Sequence, residues 1–392
     1  MHGSKSSANR RSQGYDFIFL GAGCASLSLL LRMIRSGQFN DKKILLIDKA
    51  PKTTNDRTWC FWENKKGFFE EVVYRRWDNI SFLSPAFSSA MNIAPYQYKM
   101  VRGIDFYNYC FAEIAKHSNI EVLYAEIDKW VQYEDGVTLV LNGKPFLAGN
   151  PVVFNSIYKP AATGKKNIKL LQHFKGWVIQ TEQPSFKPGE ATMMDFRVHQ
   201  KHGTTFAYVL PFTPTTALVE YTLFTKELLP PPVYDAELKE YIQTFLGIRE
   251  FDVTEEEFGI IPMTNERFSF YRNGAYQLGT AGGQTKASSG YTFQFIQKQS
   301  EQIVQQLIAG KPLSKLRTTP GRFRFYDNTL LHILYHNKLP GDMIFTRLFQ
   351  KNKPQQVLRF LDNETSLKDE LKIISTLPIW PFLKAAINHG LR

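Results

Sequence analysis

A mixed α/β fold, with one sheet unit threaded through another, is predicted by three observations. An apolar strand, a glycine-rich turn, a helical pattern and a second strand open the chain. A further strand runs into a glycine-rich turn at Gly279, and between them lies a block of β-branched and aromatic runs. In the opening series Phe17-Ile18-Phe19-Leu20 suits a buried strand, Gly21-Ala22-Gly23-Cys24-Ala25-Ser26 follows, residues 27–34 have helical spacing, and Ile44-Leu45-Leu46-Ile47-Asp48 is a second apolar strand ending in an acid. In that order they start a Rossmann-like βαβ unit. Gly21 and Gly23 permit a tight turn and close approach of the backbone to a pyrophosphate at the helix N-terminus. Asp48 is placed to accept hydrogen bonds from an adenosine ribose. Ser26 stands where the third position usually carries Gly or Ala.

The pattern continues with a helix over 104–114 and a strand-rich stretch over 122–141, so residues 15–160 form the first part of the nucleotide-binding unit. Residues 161–265 read as a mostly antiparallel insert. Its centre, Thr204-Thr205-Phe206-Ala207-Tyr208-Val209-Leu210 and Thr216-Ala217-Leu218-Val219-Glu220-Tyr221-Thr222, is a pair of strand runs around a Pro-containing turn. Glu220 is a lone carboxylate among apolar neighbours. On a buried face its pKa would rise and it would hold a proton at neutral pH, the profile of a general acid. Period-2 alternation also admits the opposite reading, in which Glu220 points to solvent while Val219 and Tyr221 point inward. Pro230-Pro231-Pro232 interrupts the insert before a helix over 235–246.

The chain returns to the nucleotide-binding unit over 266–330, where Tyr276-Gln277-Leu278 enters the turn Gly279-Thr280-Ala281-Gly282-Gly283 and residues 292–309 have helical spacing. Backbone amides around Gly279, Ala281, Gly282 and Gly283 could cradle a ribityl phosphate chain and a flavin ring. A nicotinamide enzyme needs no such distant second contact, so FAD is favoured over NAD as the bound cofactor. Residues 331–392 read as a helical C-terminal region, with Asn363-Glu364-Thr365-Ser366 before one helix and Pro378 as a stop.

Composition narrows the function classes. A chain of 392 residues, 43% hydrophobic and 14% aromatic, excludes disorder and suffices for two connected units with a substantial core. The net charge of +12 calls for an acidic partner. Basic residues fall in scattered pairs (Lys42-Lys43, Lys65-Lys66, Arg75-Arg76, Lys165-Lys166) with no stripe and no nucleic-acid motif, which favours an anionic lipid surface over nucleic acid. Cys24, Cys60 and Cys110 are isolated and odd in number, so neither disulfides nor a metal site is expected and a reducing cytoplasm is. Lys5, Arg10 and Arg11 imitate the start of a secretion signal, but Asp16 interrupts it and the apolar run serves better as the first strand. The charge-free stretch 17–31 is shorter than the roughly 20 residues that cross a bilayer.

Seven segments carry a resemblance: the opening fingerprint, Asn55-Asp56-Arg57-Thr58-Trp59-Cys60-Phe61-Trp62, Met194-Asp195-Phe196-Arg197-Val198-His199-Gln200, Leu218-Val219-Glu220-Tyr221-Thr222, the second glycine cluster running to Ser289-Gly290-Tyr291, Arg324-Phe325-Tyr326-Asp327-Asn328-Thr329-Leu330-Leu331, and Phe360-Leu361-Asp362-Asn363-Glu364. In these the chain resembles the bacterial, flavobacterial-type lycopene β-cyclases, a family of FAD-dependent carotenoid cyclases. The resemblance implies an interleaved flavoprotein fold like that of aromatic hydroxylases, in which a β-sheet substrate domain covers the flavin. It makes Glu220 the acid on which activity depends and Asp195 either a second acid or its support. Relatives often carry another acid next to the first, where this chain has Tyr221. Arg57 replaces a common His, and Ala287 a common Pro.

The implied chemistry is acid-initiated and non-redox. A proton adds to a terminal alkene of lycopene, the cation is attacked by the neighbouring double bond, and a ring proton leaves, so γ-carotene and then β-carotene form, with both ends cyclised by default. Reduced FAD would stabilise the cation or share in proton transfer, with NAD(P)H as reductant. The substrate's insolubility places the enzyme at the inner face of the cytoplasmic membrane, and the tail residues Leu371, Ile373, Ile374, Leu377, Ile379, Trp380, Phe382 and Leu383, flanked by Lys368, Lys372 and Lys384, offer a contact. The same residues could instead pack on the core. An FAD-dependent monooxygenase or dehydrogenase acting on another isoprenoid would share the fold and both glycine clusters, and a non-catalytic carotenoid binder would hold FAD weakly or not at all.

Overall fold

The computed structural model describes residues 14–134, 136–160, 167–316 and 320–390; Lys5, Arg10, Arg11 and the pair Lys165-Lys166 lie outside these. Strand β1 (Phe17–Leu20) is buried along its whole length and pairs in parallel with β2 (Ile44–Asp48) on one side and with Val152–Asn155 on the other. Continuous apolar runs of this kind belong in a parallel sheet covered on both faces. Between β1 and β2 runs helix α1 (Cys24–Ser36), whose core face carries Leu27, Leu30, Leu31 and Met33. It ends at Gly37, where φ of +67° lets the backbone turn back to bond the Ile34 carbonyl. The complete sheet orders as Tyr271–Arg272, Ala275–Gln277, Val152–Asn155, β1, β2 and Ile120–Tyr124, so a strand from late in the chain returns beside Val152–Asn155.

The second large sheet has seven strands. Its centre holds β4 (Lys169–Gln180), β5 (Thr204–Pro211) and β6 (Thr216–Thr225), and β7 (Asp252–Thr264) pairs with β4 at one edge. Beyond β5 lie Glu190–Asp195, Asn79–Leu83 and Ser88–Asn92. These last two strands depart from the expected boundary at residue 160: they pair with the insert, in parallel through Asn79–Leu83 with Glu190–Asp195. Local pattern shows that a segment is a strand, not which sheet receives it. A small sheet is formed by β3 (Thr58–Glu63), Gln97–Arg102 and Arg75–Trp77, with Gln97–Arg102 in the middle.

Both faces of the seven-stranded sheet are covered. On one, Ala207, Val209, Val219 and Tyr221 pack under helix α2 (Pro231–Thr244) through Tyr234, Leu238, Tyr241 and Ile242. That helix starts four residues before the expected 235, because proline is tolerated in the first helical turn, where the missing N–H has no partner to lose. On the other face Phe206, Leu210, Leu218 and Phe224 join Phe345, Leu348 and Phe349 of the C-terminal helices. Burying each such side chain contributes about 1.5–3 kcal/mol. The hairpin β5–β6 is therefore buried on both sides, and the alternation of inward and outward residues becomes an alternation between two interiors.

Candidate functional site

A cavity of about 550 Å³ lies where the two large sheets meet, walled by the N-terminus of α1, the 56–60 segment, β6, the edge strand β7 and the turn that leads into helix α3 (Phe293–Ile308). Volumes of this size suit small-molecule and cofactor sites. At one end Gly23, Cys24 and Ala25 expose the start of α1, whose first turn carries neither an acidic residue nor a side-chain cap. The leading N–H groups of a helix have no partner within it, and with the helix dipole they favour an anion. Gly21 has φ of +89°, and a Cβ there would lie 2.7 Å from Ser156 Oγ. At Gly23 a Cβ would meet no protein atom within 4 Å, so the space beside it belongs to the cavity.

Ser26 and Asp48 serve that turn from behind. Ser26 Oγ donates to Ser156 Oγ at 2.9 Å. Asp48 Oδ2 accepts from the Ala22 N–H at 2.6 Å, and Lys52 Nζ stands 3.2 Å from the same oxygen. Neither residue lines the cavity; at this end the wall is built by Lys52, Asp56 and Arg57. The second glycine cluster splits in two. Gly279 and Thr280 line the cavity, and Gly279, at φ of +56°, packs so closely on α1 that a Cβ would sit 2.8 Å from Ala25 Cβ. Ala281, Gly282 and Gly283 stand off the cavity. Their turn closes against the Gln277 carbonyl and Phe268.

At the other end stands Glu220, on the face of β6 opposite to Val219 and Tyr221. The alternation reading that sent it to bulk solvent fails, because that face is the cavity. Around it are Tyr208, directly across on β5, with Cys60, Tyr98 and Tyr291. Burial holds all three phenols and the Cys60 thiol well above their ordinary values, so they are neutral. Cys24, the buried first residue of α1, is pushed up to about 12 and carries no thiolate at neutral pH. Glu220 is itself raised well above the usual carboxylate range, by desolvation first and then by the charge of Glu257, while the Thr222 hydroxyl, 2.5 Å away, pulls the other way.

Glu220 is thus not a lone carboxylate. Glu257 on β7 is likewise raised by burial, and its Oε2 accepts from Thr58 Oγ1 at 2.7 Å. Sequence reading missed it, because Glu255-Glu256-Glu257 looks like a solvated charge run and only the register of β7 against β4 turns one of the three inward. Asp195, the second candidate acid, lies elsewhere. It pairs with Ala207, whose face is that of Tyr221, and so points under α2. There its Oδ2 accepts from Arg197 Nη2 at 2.6 Å and from Tyr241 Oη at 2.8 Å, and no part of it lines the cavity. Among the described residues no cluster of His, Cys, Asp and Glu could hold a metal ion.

The middle of the cavity is apolar and aromatic. Trp59 and Tyr107 line it with Phe293, which stacks on Phe61 at 4.4 Å between centroids. The start of a helix, three aromatic side chains and a carboxyl whose acidity burial weakens line a single cavity.

Known proteins share this architecture. A solved p-nitrophenol 4-monooxygenase from Pseudomonas putida superimposes with a TM-score of 0.62 at 12% identity, over 97% of this chain and 98% of its own. A flavoprotein/dehydrogenase from Cytophaga hutchinsonii does so with a TM-score of 0.61 at 12% identity, over 97% and 100%. Such likeness establishes the flavoprotein fold. At the level of sequence, a lycopene beta-cyclase from Pantoea ananas is 23% identical over 95% of this chain and 97% of its own. The family model described as lycopene cyclase protein matches residues 16–387, nearly the whole chain, and the chain therefore belongs to the lycopene cyclase family.

Proposed function

We propose that this protein is a lycopene β-cyclase that uses FAD. The observation that carries the reading is that the Gly23-Cys24-Ala25 turn of the dinucleotide fingerprint and Glu220, whose acidity burial weakens, open onto one cavity. A flavoprotein fold combined with a dinucleotide fingerprint selects FAD over a mononucleotide. The residues fit it: the open space at Gly23 and the uncapped start of α1 would receive the pyrophosphate, and Gly279-Thr280 with Ser289 and Gly290 would border the flavin. Bound there and reduced with NAD(P)H, a flavin would supply negative charge to stabilise a developing cation.

Glu220 performs the initiating step. Its carboxyl proton passes to the terminal alkene carbon, the carbocation closes the ring by accepting the neighbouring π bond, and loss of a ring proton restores a double bond. Atoms and electrons balance without oxidant or reductant. Low dielectric favours this chemistry twice, by keeping Glu220 protonated and by strengthening any preorganised negative charge facing the cation. Tyr208, Tyr98 and Tyr291 bring neutral hydroxyls and aromatic faces to the same end, and the Trp59-Tyr107-Phe293 wall grips a polyene that offers nothing to hydrogen-bond. Asp195 supports the sheet beneath by anchoring Arg197 and Tyr241. The substrate arrives from a membrane, so the protein works at the inner face of the cytoplasmic membrane as a peripheral enzyme. No helix among the described residues is long and apolar enough to cross a bilayer.

Glu220→Gln tests the reading. The amide keeps the shape without the proton, so cyclisation by purified, flavin-loaded protein falls at least about 100-fold while flavin content is unchanged. Pigment analysis of lycopene-accumulating cells expressing each form measures it. Wild-type β-carotene output from the variant would remove Glu220 from the role. Consumption of NAD(P)H and oxygen in proportion to product would replace the cyclase with a monooxygenase.

A further inference from the structure

Glu220, Gly176 and Glu257 are directly paired neighbours on three adjacent strands, since β4 pairs Gly176 with Glu220 on β6 and with Glu257 on β7. Directly paired residues share a face, and strands two apart lie roughly 9–10 Å from each other. Two glutamates can bridge that gap only if the residue between them has no side chain. Gly176 is that residue, and a Cβ on it would stand 3.0 Å from Glu257 Cγ and 3.3 Å from Glu257 Oε1. Its φ lies outside the left-handed region, so the backbone would accept alanine there and does not by itself explain the glycine. The two carboxyls interact across it, each altering the other's acidity. Glu257 Oε1 is buried and meets no donor among the described residues, which a proton shared with Glu220 would supply.

Behind the pair lies a second, small cavity of about 20 Å³, room for one water. Glu257, Thr58, Asn55, Arg102 and Glu255 line it, and Glu255 is exposed at the protein surface. Thr58 borders both cavities and fixes Glu257 at the divide through its 2.7 Å hydrogen bond. A substrate that fills the main cavity shuts Glu220 off from solvent on that side. Glu257 keeps a water-sized space on the other, walled by Met100, Val178, Phe212 and Leu218 as well as by these polar groups.

Resting on the cyclase reading of Glu220, we infer that Glu257 is the inner station of a proton relay, which takes a proton from water in the small cavity and passes it across Gly176 to reload Glu220. After the alkene has been protonated, the Glu257 carboxyl gives its proton to the Glu220 carboxylate and is itself reprotonated by water; the ring proton leaves to solvent, so the cycle is balanced. Each ring then takes its new hydrogen from solvent.

Cyclisation of lycopene by the flavin-loaded enzyme in D2O tests this. The wild type gives about one deuterium per ring. Glu257→Gln retains flavin but slows turnover at least about tenfold, and its rings carry much less deuterium, because Glu220 must then reuse protons released from the rings. Gly176→Ala, which keeps both carboxyls and inserts a methyl group between them, lowers deuterium in the same way and decides the matter if Glu257→Gln does not fold. Full deuterium in either folded variant, whether fast or slow, overturns the relay and leaves Glu257 only an influence on the acidity of Glu220. Wild-type rings free of deuterium also overturn it. If the wild type leaves lycopene unchanged, it is the cyclase reading that falls.

Discussion

At Gly23 the folded chain presents no obstacle to a side chain, since a Cβ would meet nothing within 4 Å, whereas at Gly21 it would strike Ser156 and need a left-handed backbone. The two positions therefore separate binding from folding. Gly23→Val is expected to melt within about 1 kcal/mol of the wild type and to purify without flavin, because its side chain occupies the space beside the start of α1. Gly21→Val should destabilise the fold outright. Flavin absorbance per protein and a thermal melt on the same samples check both, and a yellow Gly23→Val protein would reduce the fingerprint to a turn. Asp48→Ala strips the Ala22 N–H of its acceptor and Lys52 of its partner, so a loss of about 1–3 kcal/mol and weaker flavin binding are expected together. Individual residues were legible where their meaning was local. Glu220 and the Gly21-Gly23 turn announce themselves through their immediate neighbours, whereas the hydrogen bond by which Asp48 fastens the turn had no local sign. Glu257 had no local signature at all, its position depending on strand register and on the absence of a side chain at Gly176.

His173 shows how elements are tied together. It sits on β4, fully buried, with Thr225 of β6 at 2.7 Å from Nε2 and Tyr234 of α2 at 2.7 Å from Nδ1. The Thr225 hydroxyl donates to the Glu227 carbonyl, and Tyr234 Oη accepts from the Leu229 N–H. With Nε2–H donating to Thr225 and Nδ1 accepting from Tyr234, every donor in this group finds an acceptor, and the imidazole is neutral. Burial depresses the His173 pKa from 6.5 to about 4. The folded form resists a proton that the unfolded chain takes readily, so this contribution is complete above pH 6.5 and is lost as pH falls from there towards 4. Replacing His173 with Gln, which offers one donor and one acceptor, is expected to lower stability at pH 7 yet flatten its decline between pH 6.5 and 4.5. Denaturant midpoints at several pH values measure this, and an undiminished acid slope would assign the sensitivity to other groups. The elements were easier to foresee than their pairings. β1, α1 and β2 follow from contiguous patterns, and the strands and helices from 104 to 141 came close to expectation, whereas the assignment of Asn79–Leu83 and Ser88–Asn92 to the second sheet depends on partners far along the chain.

For the whole molecule, the proposed function requires a face on which a +12 protein would meet a substrate dissolved in a bilayer. The expected apolar tail stretch is divided between helices α4 (Leu367–Ser375) and α5 (Ile379–Gly390), with Ser366 capping the first. Their apolar residues also divide by destination. Ile373 and Leu377 are buried and Phe382 packs on the core, while Leu371, Ile379 and Trp380 are 66%, 61% and 73% exposed and Leu383 is exposed beside them. The core reading holds for Ile373, Leu377 and Phe382, and the exposed side chains are those left free for the proposed membrane contact. Large exposed apolar side chains in one region, flanked by the exposed Lys368, Lys372 and Lys384, suit an interfacial seat in which each lysine adds about 1 kcal/mol towards anionic lipid and the apolar side chains add a part that salt does not screen. The protein is therefore expected to sediment with anionic liposomes and to be only partly released by high salt. Changing Ile379, Trp380 and Leu383 together to Ser should abolish the salt-resistant fraction with flavin content and melting temperature retained, whereas Phe382→Ser should lower the melting temperature because it opens the core. Sedimentation at low and high salt with each variant measures the split. Unchanged salt-resistant binding by the folded triple variant would move the membrane contact to another face, with the exposed Phe258 and Ile260 at the edge of the cavity the next place to substitute.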